Sequence, residues 1–190
     1  MSGTLTIHSS GTGQLLSGHS WIEYAPDDGS ATKTYGTWGN DPTGAGNGLF
    51  EDLELGRASD ASRSALLDNA QEAALMQKIQ QVKDQGADGW GYLSPCSSFA
   101  ASSWQTATGE KLDDRWGIIS NPSTLKDSIA AANKKDADAA AAAAAAPPAD
   151  AGAADVDAGA ADAGAAAPPA RPDNSRRDVG SSVQCCGHGS

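Results

Sequence analysis

The chain has 190 residues, with 24 acidic residues against 13 Lys and Arg and a formal net charge of −11. Because affinity for phosphate groups depends on Lys and Arg, we expect neither nucleic acid nor an anionic membrane as a partner. No apolar run approaches the roughly 20 residues needed to span a bilayer, so we also expect no membrane span.

The composition changes abruptly near residue 133. All Trp, Tyr and Phe residues precede this point, and Ala, Asp, Gly and Pro dominate the next 40 or so residues. A segment without large apolar side chains cannot offset the entropy lost on ordering its backbone. We therefore expect one folded domain over residues 1–133 and a disordered, low-complexity Ala/Asp/Pro-rich tail over residues 134–190.

The beginning of the chain, MSGTLTIHSSGTGQLL, lacks the basic and apolar regions of a signal peptide. We therefore expect synthesis in the cytoplasm, followed, if the protein acts elsewhere, by delivery through a specialised secretion system into a target cell. At the other end, CCGH at residues 185–188 offers soft metal ligands without a second ligand pair at zinc-finger spacing. We expect neither a metal site nor a cofactor.

The first 40 residues have the pattern of β-strands. TLTIHSS is short and β-branched, and GHSWIEYA alternates so that His19, Trp21 and Glu23 share one face. PDDGSA supplies turn residues before the aromatic run TKTYGTWG, so residues 18–38 are predicted to form a β-hairpin. NDPTGAGNG, residues 40–48, is predicted to be a loop.

Three helices are predicted further along the chain. The first covers SRSALLDNAQEAALMQKIQQVKDQG, residues 62–86, with Gly86 as its C-terminal cap. The second begins at Pro95–Cys96 and ends before Gly109. The third begins at Asn121–Pro122, where Asn suits the cap and Pro the first turn, and can extend into the polyalanine stretch as far as Pro147.

Cys96 is the only cysteine before the tail, and it stands at the predicted start of a helix among small residues, in SPCSS. Helix N-termini present unpaired N–H groups and a positive dipole end, which favour a thiolate and lower the thiol pKa. The same N–H groups could stabilise an oxyanion. The alternative is an inert buried cysteine, since cysteine is among the most frequently buried residues.

A nucleophilic cysteine needs a base, and the folded part offers His8 and His19. His19 stands at the start of the most aromatic strand and follows Gly18, which leaves room for a substrate backbone. His8 lies in a plain strand near the beginning of the chain. A strand histidine bonded to a neighbouring side chain is the structural alternative for His19.

The order of segments in this chain resembles the permuted NlpC/P60-like branch of the papain-like cysteine hydrolases. The segments are GHSWIEY, a turn, TYGTWG, a long helix and then WGYLSPCSSFAASSWQTATGE. In that branch the strand histidine precedes the helix-opening cysteine. The resemblance extends over roughly residues 15–130. It implies an α+β fold in which a small antiparallel sheet packs on helices.

The resemblance also implies roles for individual residues. Cys96 corresponds to the nucleophile and His19 to the general base. The family usually adds a polar residue on the next strand to orient the imidazole, and TKTYGTWG offers only Tyr35, or Thr37 in its place, with Asn40 just beyond. We expect a substrate groove lined by three tryptophans, namely Trp21, Trp38 and Trp90.

Such domains occur among bacterial effectors and toxins, including those of type VI secretion. The resemblance therefore implies an antibacterial peptidase or amidase that acts on peptidoglycan or another peptide substrate. It also implies an immunity protein or a secretion-machine component as a protein partner. Two alternatives stay open. One is an acyltransferase or lipid-directed thioesterase on the same fold, and the other is a catalytically inactive binding module in which Cys96 is only packed.

Overall fold

A computed structural model of the chain describes residues 3–11, 18–91 and 95–145. Its main sheet has five antiparallel strands in the order β4-β3-β2-β1-β5, namely β1 Gly3–Gly11, β2 Gly18–Pro26, β3 Lys33–Trp38, β4 Gly48–Glu51 and β5 Ala61–Leu67. The helices are α1 Asn40–Thr43, α2 Asn69–Asp84, α3 Cys96–Thr108 and α4 Pro122–Ala145. The predicted α+β class, with a small antiparallel sheet packed on helices, is confirmed.

The two faces of the main sheet have different coverings. Side chains alternate along a strand, so Leu5 and Ile7 of β1 and Ile22 of β2 point to one face, where they enter the apolar core with the helices. His8 and Trp21 pair across β1 and β2 on the other face, together with His19. The loop between β4 and β5 contacts these three residues through side chains of residues 54–59.

The predicted hairpin at residues 18–38 is present, but its two strands separate at one end. The ladder between β2 and β3 runs only as far as the pair Ile22 and Tyr35, whereas β2 continues along β1 back to Gly18. Residues 18–21 of β2 therefore lack a ladder partner on their β3 side. Because α3 packs against both β2 and β3, its first residue, Cys96, is brought to this opening.

The predicted ends of α3 and the start of α4 agree with the structure. Pro95 caps α3, and Gly109 follows its last residue in the left-handed conformation, with φ of 76°. Asn121 accepts a hydrogen bond from the Ser123 amide at 2.7 Å, and Pro122 is the first residue of α4. These ends are determined locally, which is why the sequence predicted them.

The predicted domain boundary at residue 133 falls inside α4, which continues to Ala145 because its alanines have the highest helix propensity. The rest of the predicted tail, with Cys185 and Cys186, lies outside the described residues. A two-stranded hairpin, β6 Arg115–Trp116 and β7 Ile119–Ser120, precedes α4. No helix in the described ranges combines the length and apolar character needed to cross a membrane.

The first predicted helix is wrong in its N-terminal part. Residues 61–67 form the edge strand β5, which pairs with β1 along its whole length, and its side chains alternate between exposed and partly buried. The helix α2 begins only at Asn69, where Asp68 and Gln71 form a capping box. Pairing with a strand more than 50 residues away overrides the local helix propensity of Ser64–Leu67.

Within the predicted loop at residues 40–48, residues 40–43 form the single helical turn α1.

Candidate active site

His19 is buried and bonded to a carboxylate. Its side chain is 4% exposed, and Nε2 lies 2.8 Å from Oε1 of Glu54, whose side chain is fully buried. A carboxylate accepts hydrogen bonds, so this contact places the ring hydrogen on Nε2 and leaves Nδ1 as the basic nitrogen. Burial lowers the pKa of His19, and the hydrogen bond and charge of Glu54 raise it, with burial the larger effect.

Glu54 has partners for both of its oxygens. Trp38 donates its indole N–H to Oε1 at 2.6 Å, and Thr34 donates its hydroxyl to Oε2 at 3.2 Å. The Glu54 amide donates in turn to the Thr34 hydroxyl at 3.3 Å. A buried carboxylate is costly unless it is hydrogen-bonded in this way. Together the contacts fix the carboxylate that orients the imidazole.

The turn after β4 carries Glu54 to this position. Asp52 has a positive φ of 63°, a conformation that Asp tolerates better than most residues. Both its backbone and its side chain are hydrogen-bonded to β3. The Asp52 amide donates to the Thr34 carbonyl at 3.0 Å, and the Asp52 carboxylate accepts from the Lys33 ammonium at 2.9 Å. Asp52 thus anchors the turn to the start of β3, two residues before Glu54.

Gly36 gives the carboxylate the space that it occupies. A Cβ at this position would lie 2.2 Å from Oε1 of Glu54 and 3.0 Å from Nε2 of His19. Any larger residue on β3 here would collide with the hydrogen-bonded pair. Gly36 is therefore part of the site, although it has no chemistry of its own.

Aromatic rings pack around His19. Trp38 stacks on its ring with centroids 3.7 Å apart, and Trp21 lies next along the strand at 5.8 Å. The Arg57 guanidinium lies over both indoles, at 5.5 Å from Trp38 and 5.8 Å from Trp21. His8 stacks on the Trp21 ring at 4.9 Å. The packing holds the imidazole in one orientation.

The three tryptophans predicted to line a groove do not share one environment. Trp21 is 1% exposed, so its ring supports the histidines and offers no face to solvent. Trp38 is partly exposed and bonded to Glu54. Trp90 is also partly exposed, and its ring packs against Gly39, just after Trp38. Trp38 and Trp90 therefore remain candidates for contact with a substrate.

The Cys96 thiol lies at the start of α3 and is only 7% exposed. Three backbone N–H groups, those of Ser20, Cys96 itself and Ser97, act on the sulfur and lower its pKa. Burial has the larger effect and raises the pKa of Cys96 above its ordinary value, and the charge of Glu54 adds to this. The sequence-based expectation of a lowered pKa is wrong because the helix terminus is buried.

Cys96 lies against β2 at Ser20, the residue that follows His19. The Ser20 amide that acts on the sulfur belongs to the residue next to His19 on β2. The Glu54 charge affects the pKa of both Cys96 and His19. Burial favours the uncharged form of each group, so the resting site holds a neutral thiol and a neutral imidazole.

The residue that orients His19 is not the predicted one. Tyr35 belongs to the apolar core, where its ring lies 6.0 Å from Lys83 on α2. Thr37 is fully buried, and its hydroxyl has no hydrogen-bond partner. Glu54 takes the role, although nothing in the local sequence DLELGR marks it.

Comparison of the chain with protein-family models, with curated proteins and with solved structures found no match. Within the described ranges, no cluster of three or more His, Cys, Asp or Glu side chains could hold a metal ion.

The raised pKa of Cys96 predicts slow alkylation near neutral pH. We expect the rate of reaction with iodoacetamide to keep rising above about pH 8.5, the ordinary pKa of a thiol. The measurement is a rate profile from about pH 6 to about pH 10, with Cys185 and Cys186 changed to Ser and glutathione as the reference thiol. A plateau below about pH 8 would show that the thiolate is already formed, contrary to the effect of burial.

Proposed function

We propose that the protein is a cysteine hydrolase that cleaves an amide bond, with Cys96 as nucleophile, His19 as general base and Glu54 as the residue that orients His19. The observation that carries this proposal is the buried hydrogen bond between His19 and Glu54, together with a thiol at a helix N-terminus on which the Ser20 amide and the Glu54 charge both act. A buried carboxylate that fixes the tautomer of a histidine next to a nucleophile is typical of catalytic triads.

The first half of the reaction forms an acyl-enzyme. Since thiol and imidazole rest uncharged, Nδ1 of His19 takes the proton from Cys96 as the sulfur attacks the carbonyl carbon. The resulting oxyanion is stabilised by backbone N–H groups at the start of α3. Collapse of this intermediate breaks the C–N bond, and His19 transfers the proton to the leaving amine. Glu54 stabilises the imidazolium that exists between these two proton transfers.

The second half releases the product. His19 removes a proton from a water molecule, the hydroxide attacks the thioester carbonyl, and the C–S bond breaks. The acid is released and the sulfur regains the proton from His19. The enzyme returns to its initial neutral state.

The proposed substrate is a peptide of peptidoglycan, and the proposed role is that of an antibacterial effector. The support is the resemblance of the segments around His19 and Cys96 to permuted NlpC/P60-like hydrolases. Delivery by a specialised secretion system and a protective immunity protein in the producing cell are parts of this proposal.

Cys96→Ala is expected to abolish amide cleavage because no other residue supplies the nucleophile. The measurement is mass spectrometry of muramidase-solubilised peptidoglycan fragments after incubation with enzyme, where each cleavage adds one water and exposes one amine. The matched control replaces Cys185 and Cys186 with Ser and is expected to retain the wild-type rate. Product formed equally by Cys96→Ala and wild type contradicts the proposal, and no product from either supports the binding module.

A second candidate function is transfer or hydrolysis of an acyl group through the same acyl-enzyme. It is favoured by Leu53 and Leu55, which flank Glu54 and are 50% and 52% exposed. Thioesters of increasing acyl length distinguish the two functions. A Cys96-dependent rate that rises with chain length, without amide cleavage, favours the acyl substrate.

A further inference from the structure

A cavity that neither His19 nor Cys96 lines lies between α2, α3 and residues 111–115. Its volume is about 590 Å³, within the range typical of ligand pockets. Three cationic side chains line it, each from a different segment: Lys78 from α2, Lys111 from the loop after α3, and Arg115 from β6. The lining includes one carboxylate, that of Asp114, which accepts hydrogen bonds from the hydroxyls of Ser98 and Ser120.

These three cations differ from most others in the described ranges. Carboxylates pair with five of the other Lys and Arg residues, namely Lys33, Arg63, Lys83, Lys126 and Lys134. Lys78, Lys111 and Arg115 have no such partner within the residues that the structure describes. In a chain of net charge −11, carboxylates are abundant, so three unpaired cations at one cavity form a local positive site.

An exposed apolar tip adjoins the cavity. β6 and β7 form a short hairpin that begins at Arg115, with Trp116 at the end of β6 64% exposed and Ile118 in the turn 82% exposed. Large exposed apolar side chains are typical of binding surfaces, and Trp is enriched at their energetic centres. The hairpin thus adds exposed apolar side chains directly after Arg115, which lines the cavity.

We propose that this cavity and the adjoining hairpin tip bind an acidic peptide segment of a partner protein. Its carboxylates pair with Lys78, Lys111 and Arg115, and an apolar side chain beside them packs on Trp116 and Ile118. Charge complementarity provides specificity and a fast association rate.

The rest of the lining favours a peptide over a simple anion. Gln85, Ser98, Ser102 and Gln105 also face the cavity. The amides of Gln85 and Gln105 both donate and accept hydrogen bonds, as the N–H and C=O groups of a peptide backbone require. The hydroxyls of Ser98 and Ser102 already donate to Asp114 and to the Phe99 carbonyl and offer acceptor oxygens. A phosphate ion, by contrast, needs donors only. The three cations also come from three separate segments. This arrangement matches a ligand that carries several carboxylates spaced along a peptide.

The test is fluorescence anisotropy with a labelled peptide of about ten residues, rich in Asp and Glu around one Leu. The wild-type chain is expected to bind it, with affinity that falls as salt is added. The double variant Lys111→Glu/Arg115→Glu is expected to weaken binding about tenfold or more. Trp116→Ala is expected to weaken it about fivefold.

The matched control is Lys135→Glu, which reverses an exposed cation on α4 that does not line the cavity. It is expected to change affinity by less than about twofold. Circular dichroism confirms that each variant is folded. The proposal is overturned if the acidic peptide fails to bind at about 1 mM, or if the same peptide with Asn and Gln binds equally well. It is also overturned if the charge reversal has no effect, or if equimolar phosphate displaces the peptide.

Discussion

Glu54→Gln is expected to lower kcat/KM for amide cleavage by about 10²- to 10⁴-fold, the range that general acid–base catalysis contributes. The neutral amide keeps the size of the carboxylate but removes the charge that stabilises the imidazolium. It also loosens control of the tautomer, because Gln presents both a donor and an acceptor to Nε2 of His19. The buried 2.8 Å contact means that water cannot replace the lost charge.

The pH profile of the same variant has a predicted direction. His19 acts as a base only when neutral, and burial already lowers its pKa below the ordinary value of 6.5. Glu54 raises this pKa, so its loss lowers the pKa further. The acid limb of kcat/KM is therefore expected to move to lower pH while the plateau falls.

NMR titration of the His19 ring tests the pairing without any substrate. Glu51→Gln, an equivalent change at an exposed residue near the start of the same turn, is the control and is expected to leave the His19 pKa unchanged. If Glu54→Gln also leaves it unchanged, Glu54 does not act on His19.

Gly36→Ala is expected to destabilise the fold by about 1–3 kcal/mol and to reduce activity with it. The new methyl group meets Oε1 of Glu54 at 2.2 Å. The carboxylate cannot move aside freely, because three side chains hold it through hydrogen bonds: Thr34, Trp38 and His19. Displacing it leaves buried polar groups unpaired, which adds to the steric cost.

The measurement is urea denaturation, with the wild-type chain and Gly91→Ala as references. Gly91 suits this purpose because a Cβ there meets nothing within 4 Å and its φ is not positive. Wild-type stability and an unchanged His19 pKa in Gly36→Ala are the results that contradict the predicted collision.

The segment around Glu54 shows why the sequence did not reveal this residue. In LEL, residues 53–55, the usual rule places the leucines inside and the glutamate outside. The structure reverses this, with Glu54 1% exposed and Leu53 50% exposed. The partners of Glu54 are on β2 and β3, with His19 35 residues away. No local pattern reports a contact of that kind.

The charge state of the Cys96 thiol and the strand β5 likewise depend on contacts between distant parts of the chain. The helix N-terminus at Cys96 was predicted correctly, and its N–H groups do lower the thiol pKa. Burial of that terminus against β2 outweighs them, and burial is a property of the packed chain. Likewise, Ala61–Leu67 form a strand only because β1 is there to pair with them.

The family resemblance implied the α+β class, whereas local patterns in the sequence predicted the hairpin that carries His19 and the helix that opens at Cys96. The hairpin and the helix follow from alternation, turn residues and capping residues, which act over a few positions. Tertiary packing determines which carboxylate orients His19, which glycine makes room for it and which charge state the thiol prefers. Those outcomes depend on desolvation and on contacts between distant residues, and neither exists before the chain is packed.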